Sequence, residues 1–329
     1  MHALSDQLQT AHDRRQPWLA GMEDTTAYRL FHGAVEGTPG LTVDRYGPVL
    51  LVQSFRAPLD PAARGALDAF AATLPEIESV AWNHRGRPKV EPEPLAGPAL
   101  DSHIVLEEGL RFAFQARHRG IDPWLFLDFR AGRRRVRAEA AGKRVLNLFA
   151  YTCTMGVAAA AAGATAVLNI DFAESALQVG RDNAALNGIA DGGMEAHKAD
   201  VLPTLRQLAG LGVKGRGARR PYRRYPAQTF DLIVLDPPTW AKSPFGAIDP
   251  VRDYASLFKP CVLATASGGA ILATNHVSTV DRDDWVDQLQ RCAAKAGRPL
   301  ADVEILCPDP DFPSPDGRPP LKMAWCRLG

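Results

Sequence analysis

The stretch Asp236-Pro-Pro-Thr-Trp240 places a carboxylate, two prolines and a large aromatic ring directly after the apolar run 230–235. Pro237 and Pro238 fix two backbone φ angles and remove two donors, so the carbonyl oxygens beside Asp236 are rigid acceptors for an N–H group of a substrate. The Trp240 ring offers a stacking face to a planar ring. The alternative is that the prolines only end a strand and that Trp240 packs in the core. We predict a catalytic acceptor site at Asp236, Pro237, Pro238 and Trp240.

Two further acids and one loop follow other predicted strands. Asp171 ends the run 166–171 and could accept two hydrogen bonds from a ribose diol, and Asp200 could accept one from an adenine amino group. Either acid could instead be a helix N-cap. The loop 147–156 has backbone amides that a ligand could approach, or it is an ordinary connection. Its only glycine is Gly156, so the G-x-G-x-x-G fingerprint of nicotinamide and flavin sites is absent.

These side chains need a parallel sheet to bring them together. From about residue 125, apolar runs of five or six residues alternate with helical segments, a pattern typical of a parallel sheet with helices on both faces. In such sheets, ligands bind beyond the carboxyl ends of the strands. The preceding residues are β-rich around one helix that starts near Asp60. We therefore predict a helical arm over 1–24, a β-rich accessory domain over 25–120 and an α/β domain over 121–329.

Composition narrows the class of protein. The 329 residues are 46% hydrophobic, enough for a large core, and 38 basic residues nearly balance 37 acidic ones, so the net charge of +1 indicates no partner. Five scattered cysteines form no C-x-x-C pair and no metal-ligand spacing, which favours a reducing compartment and predicts no metal site. The sequence has no membrane-length apolar run and no signal-peptide centre at its start, so a cytoplasmic protein is expected.

Local charge is more informative than the total. The segment 213–226 packs six cations around Tyr222 and Tyr225, namely Lys214, Arg216, Arg219, Arg220, Arg223 and Arg224. Cationic side chains contact phosphates and aromatic rings stack on bases, so the segment predicts RNA contacts beside the Asp236 site. A solvated insertion without a partner is the alternative.

Four segments resemble the class I S-adenosylmethionine-dependent methyltransferases, specifically the bacterial group that modifies large-subunit ribosomal RNA: FLDFR, VLNLFAYTCTMGVAAA, NIDFAESALQVGRDNAALNG and FDLIVLDPPTWAKS. Upstream, RLFHGAVEGTPGLTVDRYG resembles the β-rich domain that precedes the catalytic domain in that group. The PUA RNA-binding domain of some members has no counterpart in these residues. The resemblance implies a Rossmann-like α/β fold with a mostly parallel seven-stranded sheet, S-adenosylmethionine as cofactor and ribosomal RNA as partner.

The resemblance also implies roles for single residues. Asp171 would bind the ribose hydroxyls and Asp200 would face the adenine. Arg130 would bind the cofactor carboxylate with Phe126 packed alongside, although an amphipathic helix start also explains this pair. The rest of the implied cofactor pocket consists of Asn147, Phe149, Ala150, Tyr151, Thr152 and Asp236.

The acceptor atom is predicted to be a nitrogen. Methylation of pyrimidine C5 needs a cysteine thiolate that first adds to C6, and no cysteine stands in DPPTW. Relatives that methylate cytosine C5 carry a cysteine after the next strand, where this sequence has Asn275 and His276. Cys261 lies in a predicted helix and is expected to be a buried thiol. His276 is predicted to contact the substrate, or it is only a hydrogen-bonded loop residue.

Three other functions fit parts of the pattern. A small-molecule methyltransferase would leave the basic segment without a role, and a non-catalytic RNA-binding protein would only retain the pockets. An NAD-linked oxidoreductase is disfavoured by the missing glycines. Methylation of an RNA base accounts for both the strand-end residues and the basic segment, and it is the function we expect.

Overall fold

The chain divides into two units, Met1–Arg130 with Pro308–Gly317 and Ala131–Cys307 with Arg318–Gly329. The computed structural model describes residues 3–85, 93–98, 102–116, 122–213, 216–219, 221–314 and 316–329. This division differs from the predicted bounds of 1–24, 25–120 and 121–329. The first helix is not a separate arm, because Leu8 and Ala11 are fully buried in the core of the first unit.

The first unit contains α1 (Leu4–Leu19), β1 (Ala27–His32), α2 (Gly33–Glu36), β2 (Leu41–Tyr46), β3 (Val49–Ser54), α3 (Pro61–Ala72), β4 (Ser79–His84), β5 (Glu93–Ala96), β6 (His103–Glu107), β7 (Leu110–Phe114) and a 3₁₀ turn (Leu127–Phe129). Its main sheet has the order β1-β2-β3-β4-β5, and β6 pairs with β7 in a hairpin. The Asp60 carboxylate caps α3 by accepting the Ala63 N–H at 2.7 Å. The predicted helix start near Asp60 is confirmed.

The second unit contains α4, which begins at the unit boundary (Arg130–Glu139), β8 (Arg144–Leu148), α5 (Thr154–Ala161), β9 (Ala166–Asp171), α6 (Glu174–Leu186), β10 (Glu195–Lys198), α7 (Val201–Leu208), a 3₁₀ turn (Arg216–Arg219), β11 (Phe230–Leu235), β12 (Ala241–Ser243), β13 (Gly246–Ile248), α8 (Ala255–Ala264), β14 (Thr265–Asn275), α9 (Arg282–Lys295), β15 (Leu300–Leu306) and β16 (Lys322–Leu328).

Seven of these strands form one sheet in the order β10-β9-β8-β11-β14-β16-β15. Only β16 runs antiparallel to its neighbours, so the predicted mostly parallel α/β sheet is confirmed. The chain moves outward in one direction from β8 to β10 and in the other from β11 onward. This reversal between β8 and β11 is the topological switch point, where open parallel sheets bind their ligands.

The central strands are buried on both faces, as expected of a parallel sheet covered by helices. Leu146 and Leu148 of β8 and Ile233 and Leu235 of β11 are fully buried. Such strands are stiff supports, so residues that directly follow them are held in defined positions. Among the described residues, no helix is long and apolar enough to cross a lipid bilayer.

Candidate active site

Four chain segments follow the carboxyl ends of adjacent strands in the second unit. Along this edge of the sheet lie Asp171 after β9, the loop 149–153 after β8, Asp236 after β11 and His276 after β14. Adjacent strands are about 4.8 Å apart, so the four segments are neighbours although they are far apart in sequence. The sheet thus brings together the strand-end residues that the sequence predicted.

The loop after β8 has an unusual backbone. Phe149, Tyr151 and Cys153 have φ angles of 58°, 48° and 58°, in the left-handed region that side chains other than glycine rarely adopt. The N–H groups of Ala150, Tyr151 and Cys153 donate to the Ile170 carbonyl, to Asp171 Oδ2 and to the Ala150 carbonyl, and these bonds hold the loop in one conformation. Backbone strain of this kind clusters at ligand sites. Glycine usually supplies such conformations, so the sequence of the loop gives no sign of its left-handed residues.

Asp171 ties this loop to the end of β9. Its Oδ2 accepts the Tyr151 N–H at 2.9 Å and its Oδ1 accepts the Ala173 N–H at 2.8 Å. The carboxylate is buried, and burial raises its pKa despite these hydrogen bonds. Each oxygen of an ionised carboxylate can accept a second hydrogen bond, so Asp171 can still bind a diol.

Asp200 is the N-cap of α7, since its Oδ1 accepts the Leu202 N–H at 2.9 Å. The cap and the ligand role are compatible, because Asp200 also lines a cleft of about 440 Å³ beyond β9 and β10. Phe172, directly after Asp171, lines the same cleft and is 66% exposed. Tyr222 and Phe245 add two rings that meet edge to face at 5.8 Å. Sequence reasoning missed Phe172 and Phe245, although Phe172 follows the predicted acid.

Several side chains that the sequence predicts for the cofactor pocket are buried. The Asn147 carboxamide is buried and its Nδ2 donates to Asn169 Oδ1 at 2.8 Å. Phe149, Ala150 and Thr152 are buried as well. The half-buried Tyr151 is the accessible side chain of the loop, and a place for the buried side chains in the cofactor pocket stays a prediction.

The structure also assigns Arg130 a different role from the predicted one. The guanidinium is fully buried in the first unit, where Nη1 donates to Asp309 at 3.0 Å and Nη2 donates to Asp311 at 3.1 Å. Two neighbouring carboxylates already neutralise this cation, so it is not available to a cofactor carboxylate. Phe126 is 42% exposed and lines a small cleft of the first unit with Phe55.

Asp236 and His276 form a hydrogen-bonded pair at the ends of β11 and β14. His276 Nε2 lies 2.7 Å from Asp236 Oδ1, and the Thr274 hydroxyl donates to the same oxygen. An ionised carboxylate only accepts, so Nε2 carries the proton in this pair and Nδ1 is the basic nitrogen of the neutral ring. Both side chains are partly exposed. The pair can orient a substrate N–H group and accept its proton.

The residues after Asp236 form a stiff, accessible platform. Pro237 is buried and Pro238 is half-buried, whereas Trp240 is 61% exposed. The alternative in which Trp240 packs in the core is therefore wrong. The platform continues into the hairpin of β12 and β13, which the sequence did not predict.

Two thiols of this unit, those of Cys153 and Cys261, do not offer a nucleophile beside Asp236. Cys261 is fully buried in α8, and burial raises its pKa far above the ordinary value. Cys153 is also buried and its pKa is raised by burial, which keeps the thiol protonated. Within the part of the chain that the structure describes, no group of three or more His, Cys, Asp or Glu side chains could hold a metal ion.

The predicted RNA-contacting cations are only partly described. Lys214 and Arg220 lie outside the described residues, and Arg216 starts a 3₁₀ turn. Arg219, Arg223 and Arg224 are exposed. Arg223 and Arg224 lie beside Glu195 and His197 of the outer strand β10, in the same unit as Asp236.

Comparisons with known proteins agree with this architecture. The chain is 31% identical over 291 residues to a ribosomal RNA large subunit methyltransferase of Deinococcus radiodurans, covering 85% of this chain and 67% of that protein. It is 30% identical over 294 residues to ribosomal RNA large subunit methyltransferase I of Shewanella amazonensis, covering 88% and 70%. A methyltransferase structure from Streptococcus mutans superposes with a TM-score of 0.80 at 24% identity, over 98% of this chain and 80% of that one.

The family match spans nearly the whole chain. Residues 28–327 match the S-adenosylmethionine-dependent methyltransferase family. The predicted cofactor, S-adenosylmethionine, is thereby confirmed. The chain belongs to the S-adenosylmethionine-dependent methyltransferase family.

Proposed function

We propose that this protein transfers a methyl group from S-adenosylmethionine to a ring or exocyclic nitrogen of a nucleobase in ribosomal RNA. The observation that carries the proposal is the Asp236–His276 pair, which stands at the carboxyl ends of two central strands. This pair can accept a proton, and an acceptor nitrogen that carries hydrogen loses a proton when it gains a methyl group.

The residues at the strand ends fit S-adenosylmethionine. The half-buried Tyr151, the accessible side chain of the loop 149–153, would border the cofactor. Asp171 would accept the ribose hydroxyls, as its carboxylate is already oriented by two backbone donors. Phe172 and Asp200 would hold the adenine, one by stacking and the other by accepting an amino hydrogen.

When bound, S-adenosylmethionine supplies a methyl group that its positive sulfur has already activated. The protein therefore contributes mainly orientation of the acceptor. Carbonyl oxygens of the Asp236-Pro-Pro segment would hold the acceptor N–H group, since the two prolines keep this backbone in one shape. His276 Nδ1 would take the proton that the nitrogen loses, and Asp236 would stabilise the resulting imidazolium.

A nitrogen is favoured over pyrimidine C5 for a chemical reason. Attack at C5 needs a thiolate that adds to C6, and the thiols of Cys153, Cys261 and Cys326 are all buried with raised pKa values. The position after β14 holds His276, whose imidazole serves proton transfer rather than addition to the ring.

RNA is favoured as the acceptor by two observations. The relatives in Deinococcus and Shewanella carry names of large-subunit ribosomal RNA methyltransferases. The second is the exposed Trp240, beside Asp236, where a nucleobase turned out of its stack can lie against the indole.

The test is transfer of a deuterated methyl group to large-subunit ribosomal RNA transcribed in vitro, followed by mass spectrometry of the nucleosides. Label in an N-methylated nucleoside is expected. Label in 5-methylcytosine would overturn the nitrogen assignment, and a protein that binds S-adenosylmethionine but labels no RNA would overturn the RNA assignment. The Asp171→Ala variant serves as a control, because it should abolish labelling by loss of the cofactor.

A further inference from the structure

The segment from Pro221 to Gln228 runs along the outer strand β10 of the large sheet and is firmly anchored there. Gln207 of α7 donates to the Arg223 carbonyl at 3.1 Å and accepts the Tyr225 N–H at 3.3 Å. The Gln228 N–H donates to the Leu208 carbonyl at 3.0 Å and fixes the end of the segment. These bonds anchor the segment to α7, and Arg223 and Tyr225 contact His197 of β10.

Two aromatic rings, Tyr222 and Tyr225, flank two cations in this segment, and each ring has a guanidinium against it. The Arg224 guanidinium lies 4.4 Å above the Tyr222 ring and donates to the Tyr222 hydroxyl at 2.7 Å. The Arg223 guanidinium lies 5.6 Å from the Tyr225 ring centre. A guanidinium held over a ring keeps its outer face for a base and its N–H edges for phosphates.

His197 of β10 completes this face, which we call the edge strip: His197, Tyr222, Arg223, Arg224 and Tyr225. His197 Nε2 lies 2.8 Å from Glu195 Oε2 and 3.2 Å from Arg223 Nη2, and His197 Nδ1 lies 3.2 Å from the Tyr225 hydroxyl. Within the described part of the chain, neither Arg223 nor Arg224 forms an ion pair with a carboxylate. Both cations are exposed and remain available to an anion.

The edge strip connects the two ends of the sheet. At the carboxyl ends of the strands, Arg223 lines the cleft that contains Phe172 and Asp200. At the amino ends, Arg223 and Arg224 line a second cleft of about 320 Å³, to which Arg144 of β8 adds a further exposed cation. A four-residue strand such as β10 spans about 13 Å, so the two clefts lie within reach of one short RNA strand.

We propose, resting on the function proposed above, that the edge strip binds single-stranded RNA that flanks the acceptor nucleotide. Arg223, Arg224 and Arg144 contact its phosphates, and its bases stack on the rings of Tyr222 and Tyr225. RNA is favoured over an acidic protein because each of the two cations lies against a ring, so that surfaces for a phosphate and for a base stand side by side, as phosphates and bases do in a single strand.

The test compares the wild-type protein with R223Q/R224Q in binding a fluorescein-labelled single-stranded RNA of mixed sequence, measured by fluorescence polarisation over a range of salt concentrations. Loss of two phosphate contacts lowers the salt slope by about 1.4 and weakens binding by about 25-fold at about 0.1 M salt. The matched control is R291Q/K295Q, which removes two exposed cations from α9. Its RNA binding should stay within about twofold of the wild type.

Calorimetry with S-adenosylmethionine separates the other outcomes. Equal affinity in the wild type and in R224Q is expected, because Arg224 does not line the cleft that contains Phe172 and Asp200. Weaker cofactor binding with unchanged RNA binding would overturn the proposal and assign the arginines to the cofactor. If both double variants lose RNA binding equally, the effect is one of general charge and the proposal is overturned. If the protein binds polyglutamate in preference to RNA, the proposal is overturned in favour of a protein partner.

The binding assay is independent of methyl transfer. If the wild type methylates RNA and R223Q/R224Q binds RNA as the wild type does, RNA binding by the edge strip is overturned. The proposed function then still stands. A wild-type protein that binds RNA through the strip but transfers no methyl group would overturn the proposed function and support the strip.

Discussion

His276 Nε2 lies 2.7 Å from Asp236 Oδ1, although the two residues are 40 positions apart in the sequence. The contact exists because β11 and β14 are adjacent parallel strands, and each residue follows the carboxyl end of its strand. The Thr274 hydroxyl donates to the same oxygen and orients the carboxylate. A histidine held in this way is suited to proton transfer at the acceptor.

The variant His276→Asn should methylate RNA about 100-fold more slowly in kcat, because its carboxamide cannot accept the proton. The KM for RNA and the affinity for S-adenosylmethionine should change by less than about threefold, since both sites remain formed. Single-turnover kinetics measures the change. Thr274→Val is the control and should slow the reaction less, because it removes one bond to Asp236 and keeps the imidazole. Wild-type kcat in His276→Asn would contradict a role in proton transfer.

Trp240→Ala should lower kcat/KM for RNA by about 10- to 100-fold, because stacking on a base contributes about 1–3 kcal/mol. The indole is 61% exposed, so the free energy of unfolding should change by less than about 0.5 kcal/mol. Trp240→Phe keeps a stacking face and should recover most of the activity. A loss of activity in Trp240→Ala that tracks unfolding, seen by urea denaturation, would point to a packing role.

Asp171→Asn tests the acid that joins the loop after β8 to the end of β9. Both carboxylate oxygens accept backbone N–H groups, and the amide side chain would turn its own donors toward one of them. The amide N–H group and the backbone N–H group would then face each other without an acceptor, which should lower the free energy of unfolding by about 1–3 kcal/mol. Binding of S-adenosylmethionine, measured by calorimetry, should weaken by at least about tenfold. Asp182→Asn, an exposed change on α6, should alter neither quantity.

Gly156 of α5 packs against the buried amides beneath the loop. A Cβ atom there would lie 2.1 Å from Asn169 Oδ1, so Gly156→Ala should destabilise the protein by about 1–3 kcal/mol through overpacking. Gly65 of α3 has no neighbouring atom within 4 Å of such a Cβ, so Gly65→Ala should stabilise it by about 0.5–1 kcal/mol. Urea denaturation of both variants checks the contrast, and equal effects would contradict it.

Much of the second unit could be predicted from the sequence because its strands are short apolar runs with clear ends. Asp171 and Asp236 could be placed for the same reason, since an acid directly after a buried strand must lie at the edge of the sheet. Gly163 and Gly188 follow α5 and α6 with positive φ angles, as glycine often does after the carboxyl end of a helix. These features depend only on neighbouring residues.

Features that depend on distant residues could not be predicted. Arg130 has its charge neutralised by Asp309 and Asp311, which lie 179 and 181 positions later. The left-handed residues of the loop after β8 oppose their local preferences, so only the surrounding structure can impose them. Nor does any local pattern show that His276 meets Asp236, because the contact requires the order of the strands.

The pH dependence of stability should depend strongly on His32 in the first unit. Burial and the Arg29 guanidinium lower its pKa to about 4, and Arg29 Nη1 donates to His32 Nδ1 at 3.0 Å, a bond that requires the neutral ring. In the unfolded chain the pKa of a histidine is about 6.5. Between these values, the unfolded state binds a proton that the folded state does not bind, so the free energy of unfolding falls as the pH falls from about 6.5 to about 4.

His32→Gln should remove this contribution and flatten the pH dependence. Because the ring is partly exposed and solvent screens its interactions, the wild type should lose about 1–2 kcal/mol more than the variant between about pH 7 and about pH 4.5. Urea denaturation at several pH values measures the difference. Below about pH 4 the folded protein also protonates His32, so the two curves should become parallel. Parallel curves over the whole range would mean that His32 titrates alike in the folded and unfolded states, which the bond from Arg29 argues against.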